Sequence, residues 1–503
     1  MVAALATACG GTAQSDGDAG KPAKGGTLRV ALAAQPSSFN PVLGNSGSAD
    51  FIVQYSIFDT LTEFNSETGE VDPRLAESWT FSDPTTFVMT LRAGAAFHDG
   101  SPVDAEAVVW FLNHARGPEG GGAQVDLAKV ESAEATGELE VTVQLTEPFT
   151  GLPWVLSGRS GMVMSRAAYE KDPEGFAQHP VGAGPYRFVS YKKGAKIELE
   201  RFEDYWNPDG IYPDAVEFTI FQEPTTILNA IKSGEQNLSF SVSPKDVAQL
   251  ESDPSVNVTT GSSYLLDQIH MNRSKKPLND PRVRRALSLA LDRDVFVKAA
   301  TFGLGEPGYQ FFPEDSPAAA PSIAVDNAPD LDQARSLMAE AGYGDGVGLT
   351  MLTQTSEIEV RKAEVLQAQL AEIGVELDIR PTELTQAVAE MFQDQSADLF
   401  FAYGVSRADV GDTINATFGA EALYNLPHEE HPAVMEKLAE ANATSDIAER
   451  NKHLQAAAEA IADESLLLPV AFNPFIAVTT SSVHGVRVDA VLKPRLDGIW
   501  IEN

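Results

Sequence analysis

Residues 349–379 read LTMLTQTSEIEVRKAEVLQAQLAEIGVELDI. The apolar stretch 349–352 predicts a strand. Residues 359–373 predict a helix, ended by Gly374, which can adopt the left-handed backbone a helix stop requires. Residues 375–379 predict a second strand. Strand, helix and strand at this spacing form a βαβ unit. Upstream, 331–341 reads as a helix stopped by Gly342. Asp280-Pro281 opens another: Asp is a good N-cap, and Pro is tolerated at the first helical position. Val283, Leu287, Ala290 and Leu291 share one face of that helix. Residues 264–271 form an extended apolar segment. Downstream, 397–403 reads as a strand, 449–462 as a helix and 466–472 as a strand.

The N-terminal half continues the alternation. Residues 27–32 predict a strand closed by Pro36, and Asn40-Pro41 a turn. Phe51, Ile52, Tyr55, Phe58 and Leu61 recur at helical spacing. In 86–92, Phe87, Met89 and Leu91 alternate on one side of a half-buried strand. After a turn at Phe97-His98-Asp99-Gly100, Asp104 caps a helix over 105–114 expected to bury Val108, Val109 and Leu112. Strands are expected at 138–145, 186–191, 197–202 and 216–221, and a helix around 225–233. Alternating strands and helices without an internal repeat argue for an α/β fold.

At 503 residues the chain exceeds what one core usually organises, so two or more lobes are expected. No run of about 18 apolar residues occurs, so no membrane-spanning helix is expected. Acidic side chains outnumber basic ones 72 to 36, a net charge of −36 that repels phosphate backbones and argues against nucleic acid. Cys9 is the one cysteine, which excludes an internal disulfide and a thiolate metal site. It follows Ala6-Thr7-Ala8 and precedes Gly10-Gly11, and this resembles the end of a bacterial lipoprotein signal, in which the cysteine becomes the lipidated N-terminus. Residues 10–26 are small and polar and read as a flexible tether.

Nucleophile and cofactor patterns are missing: there is no Gly-x-Ser-x-Gly and no Gly-x-x-x-x-Gly-Lys. Gly182-Ala183-Gly184 runs into Pro185 and is no dinucleotide loop. His428-Glu429-Glu430-His431 has its histidines three apart rather than four, so it reads as a solvated helix start rather than a zinc motif. No enzyme activity, cofactor or metal is expected.

Four blocks, in order, resemble family 5 of the extracellular solute-binding proteins, which carry oligopeptides, dipeptides or nickel to ABC importers. The first runs from Leu75-Ala76-Glu77-Ser78-Trp79 through Leu91-Arg92-Ala93-Gly94 to Phe97-His98-Asp99-Gly100-Ser101-Pro102-Val103-Asp104-Ala105-Glu106-Ala107-Val108. The second is Gly182-Ala183-Gly184-Pro185-Tyr186 with Glu200-Arg201 and Tyr205-Trp206. The third is Asp280-Pro281-Arg282-Val283-Arg284-Arg285-Ala286-Leu287 with Asp292-Arg293. The fourth ends Ala339-Glu340-Ala341-Gly342-Tyr343. Trp79 and Trp206 within them read as packing anchors.

The resemblance implies a two-lobed periplasmic-binding-protein-like fold of type II, in its large three-subdomain variety, whose lobes close on a ligand about hinge strands. Those strands are placed near 268–271 and 470–475. It divides the chain into a signal end and tether (1–25), lobe I (26–50, 180–270 and 476–503), an extra subdomain of lobe I (51–179) and lobe II (271–475). It implies ligand contacts at Asn45, Tyr55, Arg159, Tyr403, Ser406, Arg407, Asp409 and Asn473. Ser406 stands where peptide-binding members carry the carboxylate that holds the peptide ammonium, with Arg407 beside it and Asp409 nearby. Arg159 lies close to where nickel-type members carry an arginine that grips a carboxylated chelator. Peptide is therefore the first ligand class, and a metal chelate or other anionic solute the second. A ligand sensor or chaperone without transport is the reading from another class. The implied partners are the importer's permease and ATPase subunits, for a monomer held at the outer face of the cell membrane by lipid on Cys9.

Overall fold

Leu28 and Val30 face one core from strand Thr27–Leu32, which pairs in parallel with Ala215–Ile220, Leu28 opposite Val216 and Val30 opposite Phe218. In the computed structural model, which describes residues 21–44, 47–323, 328–426 and 428–502, this strand is the fourth of a seven-stranded sheet. The order is Val256–Gly261, Phe475–Thr480, Leu238–Ser239, Thr27–Leu32, Ala215–Ile220, Lys196–Arg201, Tyr186–Lys192. Cys9 and Asn45 lie outside the described residues.

Packed beside it is a four-stranded antiparallel sheet ordered Ala76–Asp83, Thr86–Leu91, Glu140–Leu145, Val130–Ala135, so that Glu140–Leu145 lies between Thr86–Leu91 and Val130–Ala135. Its period-2 pattern buries Phe87, Met89 and Leu91 beside Val141, Val143 and Leu145. Asp104 accepts a hydrogen bond from Ala107 N (2.9 Å) and starts helix Ala105–Ala115 as expected. The buried stripe is Val108, Phe111, Leu112 and Ala115, the i, i+3, i+4, i+7 set, and Val109 is left half-buried. Helix Ser48–Ile57 ends four residues before the expected Leu61. The chain becomes extended at Phe58, and Ile57 O accepts Gly184 N at 2.9 Å. This contact explains the glycines of the second block. A Cβ added at Gly182 would lie 2.2 Å from Ile57 O, and one at Gly184 would lie 2.6 Å from the Ile57 carbonyl carbon, so backbone meets backbone there.

The βαβ unit of 349–379 sits in a second, six-stranded sheet ordered Glu306–Pro307, Leu468–Phe472, Leu265–Met271, Leu399–Val405, Val347–Thr353, Val375–Pro381. Val347–Thr353 and Val375–Pro381 are parallel, and helix Glu357–Ala371 crosses between them with Ala363, Leu366 and Leu370 buried. Ser356 caps this helix, and Gly374 has φ +81° where the chain turns back.

The chain passes between the two large sheets twice. The first passage lies between Gly261 and Leu265, ahead of the expected 268–271, which instead fall inside a central strand of the second sheet. The second lies between Phe472 and Phe475. The expected helix start at 428–431 is also revised. The helix is Pro432–Ala443, and although His428, Glu429 and Glu430 are exposed, His431 is buried beside Arg273, Asn425 and Glu464. Among the described residues no group of three metal-ligating side chains comes together.

Candidate ligand-binding cleft

The two passages are tied to one another. Asn473 N donates to Leu265 O (2.8 Å), Ser263 Oγ donates to Asn473 O (2.6 Å), and Lys362 Nζ reaches Asn473 Oδ1 (3.4 Å) while pairing with the buried Asp267. Asn473, expected at the ligand, thus has its polar groups engaged within the hinge.

Strand Leu399–Val405 leaves the second sheet into the loop 406–409, and Asp409 caps helix Val410–Phe418. Its carboxylate accepts from Gly411 N and Asp412 N (3.2 Å each) and from Arg450 Nη2, and it is buried together with Arg450. Asp409 is therefore committed, and it is not the partner of Arg407. Arg407 Nη1 instead donates to Asp412 (2.7 Å) and to Asp126 (3.3 Å), which belongs to helix Gly121–Asp126 of the other lobe. Burial opposes the charge on Arg407, but these carboxylates outweigh it and raise its pKa.

Asp126 also receives Arg159, through Nε at 2.7 Å and Nη2 at 3.2 Å, and Ser160 Oγ at 3.1 Å. One carboxylate so joins an arginine from each lobe, and two of the expected site residues meet through a third that sequence reasoning missed.

Around this junction are three cavities that share walls. The largest, about 330 Å³, lies in lobe II on the face of the strands carrying Gln268, His270, Phe400 and Ala402, with Tyr403, Tyr424 and Leu384 at its rim. Tyr403 and Tyr424 are 47% and 42% exposed, high for aromatic rings. His270 stacks on Tyr424, and its burial depresses its pKa to about 4, so it is neutral at pH 7. Ser406 and Arg407 also line the second cavity, about 240 Å³, between the lobes, walled by Phe51, Trp154, Arg159, Asp126 and Lys493. Gly158, Ala408 and Lys493 lead on to the third, about 170 Å³, which Tyr55, Glu63, Asp489 and Arg495 line. Tyr55 donates to Ser157 O (3.0 Å), and the Arg495 guanidinium sits 3.8 Å above its ring.

Tyr55, Arg159, Tyr403, Ser406, Arg407 and Asp409 are thus brought to one connected cleft. Lys493 and Arg495 were missed. They stand in the C-terminal return, where Asp489-x-x-x-Lys493-Pro494-Arg495 is the one visible signal.

The model of the bacterial extracellular solute-binding proteins, family 5 middle, matches residues 70–424, well over half of the chain. The chain belongs to that family. Among curated relatives it is similar to the glutathione-binding protein GsiB of Escherichia coli K12, 26% identical over 428 residues and 82% of each chain. Among solved structures it is similar to the ABC transporter-associated periplasmic binding protein DppA of Helicobacter pylori in complex with the peptide STSA. That match has a TM-score of 0.80 and 25% identity, over 96% of this chain and 99% of that one. NikZ of Campylobacter jejuni in complex with Ni(L-His) shares the fold, with a TM-score of 0.77 and 21% identity over 92% and 96%. The two-lobed periplasmic-binding-protein architecture expected from the sequence is the fold found. GsiB and DppA are binding proteins by name, and among the described residues no helix is long and apolar enough to cross a membrane.

Proposed function

We propose that this family 5 protein captures a short peptide, or a peptide-like compound with an anionic group, and delivers it to the permease and ATPase of an ABC importer. The supporting observation is the shape of the cleft: three compartments in a row, apolar and aromatic at one end and rich in paired charge in the middle. That form suits an extended ligand whose backbone lies past Arg407 and Ser406 while a side chain enters the aromatic compartment. Mass spectrometry of solute co-purified with the protein tests it, and a bound metal chelate in place of a peptide would decide for the nickel-type reading.

In this reading Arg407 turns from Asp126 to the ligand when a solute occupies the cleft. Arg407→Ala is then expected to weaken binding by about 1.5–3 kcal/mol, roughly ten- to a hundredfold, the range of a charged hydrogen bond. Calorimetry measures it, and unchanged affinity would leave Arg407 as a structural partner of Asp412 and Asp126.

The proposal extends to anchoring. Lipid on Cys9 with the polar residues 10–26 as tether would keep the monomer beside its permease at the outer face of the membrane. Protein expressed with a complete signal is expected to partition into the detergent phase, and Cys9→Ser into the aqueous phase. Equal partitioning of both rejects the anchor.

A further inference from the structure

The C-terminal return carries Lys493 into the wall shared by the second and third compartments. Its ammonium lies 4.4 Å from the centroid of the Phe51 ring. Among the described residues it makes no hydrogen bond, and no carboxylate oxygen stands within 4.0 Å of it. The neighbouring cations are all committed. Arg159 is held by Asp126, Arg407 by Asp412 and Asp126, and Arg495 by Thr60 Oγ1 (2.6 Å) and the Tyr55 ring. Asp489, four residues upstream, turns its carboxylate back on the chain, accepting Val491 N (3.1 Å) and Lys493 N (2.8 Å). Burial pushes Lys493 down to about 8, with Arg159 and Arg407 adding to the effect against Asp489 and Asp126. Lys493 is half-buried, and an ammonium partly withdrawn from water with no ion pair favours an anion that comes within reach.

Charge counting gives the class of partner. The second compartment is lined by three cations, Arg159, Arg407 and Lys493, and by Asp126, Asp409 and Asp412. Asp409 is neutralised by Arg450, which leaves two carboxylates against three cations. The third compartment adds Arg487 and Arg495 against Glu63, Glu67, Asp72 and Asp489, so among the described lining cations Lys493 alone has neither an ion pair nor a hydrogen bond, and a single ammonium amid these acids suits a singly charged anion better than a doubly charged phosphate.

We propose that Lys493 anchors a carboxylate of the bound solute, the C-terminal carboxylate if the solute is a peptide, at the junction of the second and third compartments. The assignment of that carboxylate to a peptide rests on the function proposed above. It gives the ligand a direction: carboxylate at Lys493, chain past Arg407 and Ser406, side chain in the aromatic compartment.

Thermal unfolding of the full chain with an enzymatic casein digest, and with the same digest after methyl esterification of its carboxyl groups, tests the proposal. Wild type is expected to need at least tenfold more esterified than untreated digest for a half-maximal shift. Lys493→Met should need at least tenfold more untreated digest than wild type and no longer distinguish the two. Lys493→Arg should keep most of the preference. Without digest, Lys493→Met should melt no lower than wild type, since an uncompensated cation is removed. Wild-type affinity in Lys493→Met, or equal response of wild type to both digests, overturns the inference alone. A wild type that responds to neither overturns the peptide reading and this inference with it.

Discussion

Arg74→Met is expected to lower the stability of the protein by about 3–5 kcal/mol, the cost of removing one member of a buried ionic group. Arg74 is 4% exposed and binds three carboxylates: Asp59 through Nε, and Glu63 (2.5 Å) and Asp497 (2.8 Å) through Nη1. Asp59, fully buried, also accepts Tyr205 OH (2.9 Å) and Trp206 Nε1 (2.7 Å). Trp206, expected as a packing anchor, is thus a hydrogen-bond donor as well, and the Arg92 guanidinium lies 4.1 Å above its ring. Without Arg74, three acids share a site with two more loosely placed cations, Arg487 and Arg495, which lie 3.5 Å and 3.9 Å from Glu63. The cluster also joins the loop after Ser48–Ile57 to the C-terminal return, so the return that carries Lys493 should loosen with it. Denaturant titration measures the loss, and Arg74→Lys, which keeps the charge but loses the fork, should fall between. Acid should act through the same cluster. Burial raises the pKa of Glu63, but Arg74, Arg495 and Arg487 outweigh it and hold the carboxyl at about 2, below the ordinary 4.5. A depressed carboxyl contributes its stability fully above pH 4.5 and loses it as pH falls towards 2. In Arg74→Met that part of the acid sensitivity should be smaller. A variant as stable as wild type at pH 7 would refute the account.

What the sequence made legible was local. Asp104 and Asp280 cap helices within three residues of themselves, and the βαβ unit of 349–379 declares itself by period and by Gly374, so these elements could be placed from adjacent residues, whereas the Ser356 cap was not read and its helix starts two residues before the expected 359. The first passage between the sheets was misplaced because the apolar run 264–271 has no internal break. Its boundary is fixed from far away, by Tyr264 N donating to Ala490 O at 2.7 Å. The centre of the cleft was half legible. Loop 406–409 was marked by its position after a strand, but Asp126 precedes Arg407 by 281 positions, and nothing in either segment names the other. Likewise Asp409 was expected to contact the ligand, and the fold pairs it with Arg450, on helix Ile447–Asp463.

The same Asp409–Arg450 pair forms the floor of the contact between lobes, and Gly151 is expected to be where closure can be blocked. Thr150 donates to Ala441 O through Oγ1 (3.1 Å) and to Asn442 O through N (3.3 Å), and the Arg450 guanidinium lies 4.7 Å from the centroid of the Trp154 ring. Between them Gly151 has φ −74° and ψ −6°, a backbone any residue can adopt, so a side chain there brings no local strain. Its effect comes from space alone. A Cβ would stand 2.1 Å from Asp409 Oδ2 and 3.0 Å from Arg450 Nη2. Gly151→Leu can keep the lobes together only by displacing a buried ion pair, at roughly 3–5 kcal/mol. If the ligand is held by the closed form, apparent affinity falls with the population able to close, so a loss of about a hundredfold or more is expected. Stability without ligand should change little, because in the open form the leucine faces solvent. Gly158→Ala is the control: its Cβ would meet nothing nearer than Val155 O at 3.6 Å, although Gly158 lines the same cleft. Small-angle scattering with saturating ligand separates the outcomes. Wild type and Gly158→Ala should contract and Gly151→Leu should not, whereas contraction of Gly151→Leu at wild-type affinity would place the closing contact elsewhere.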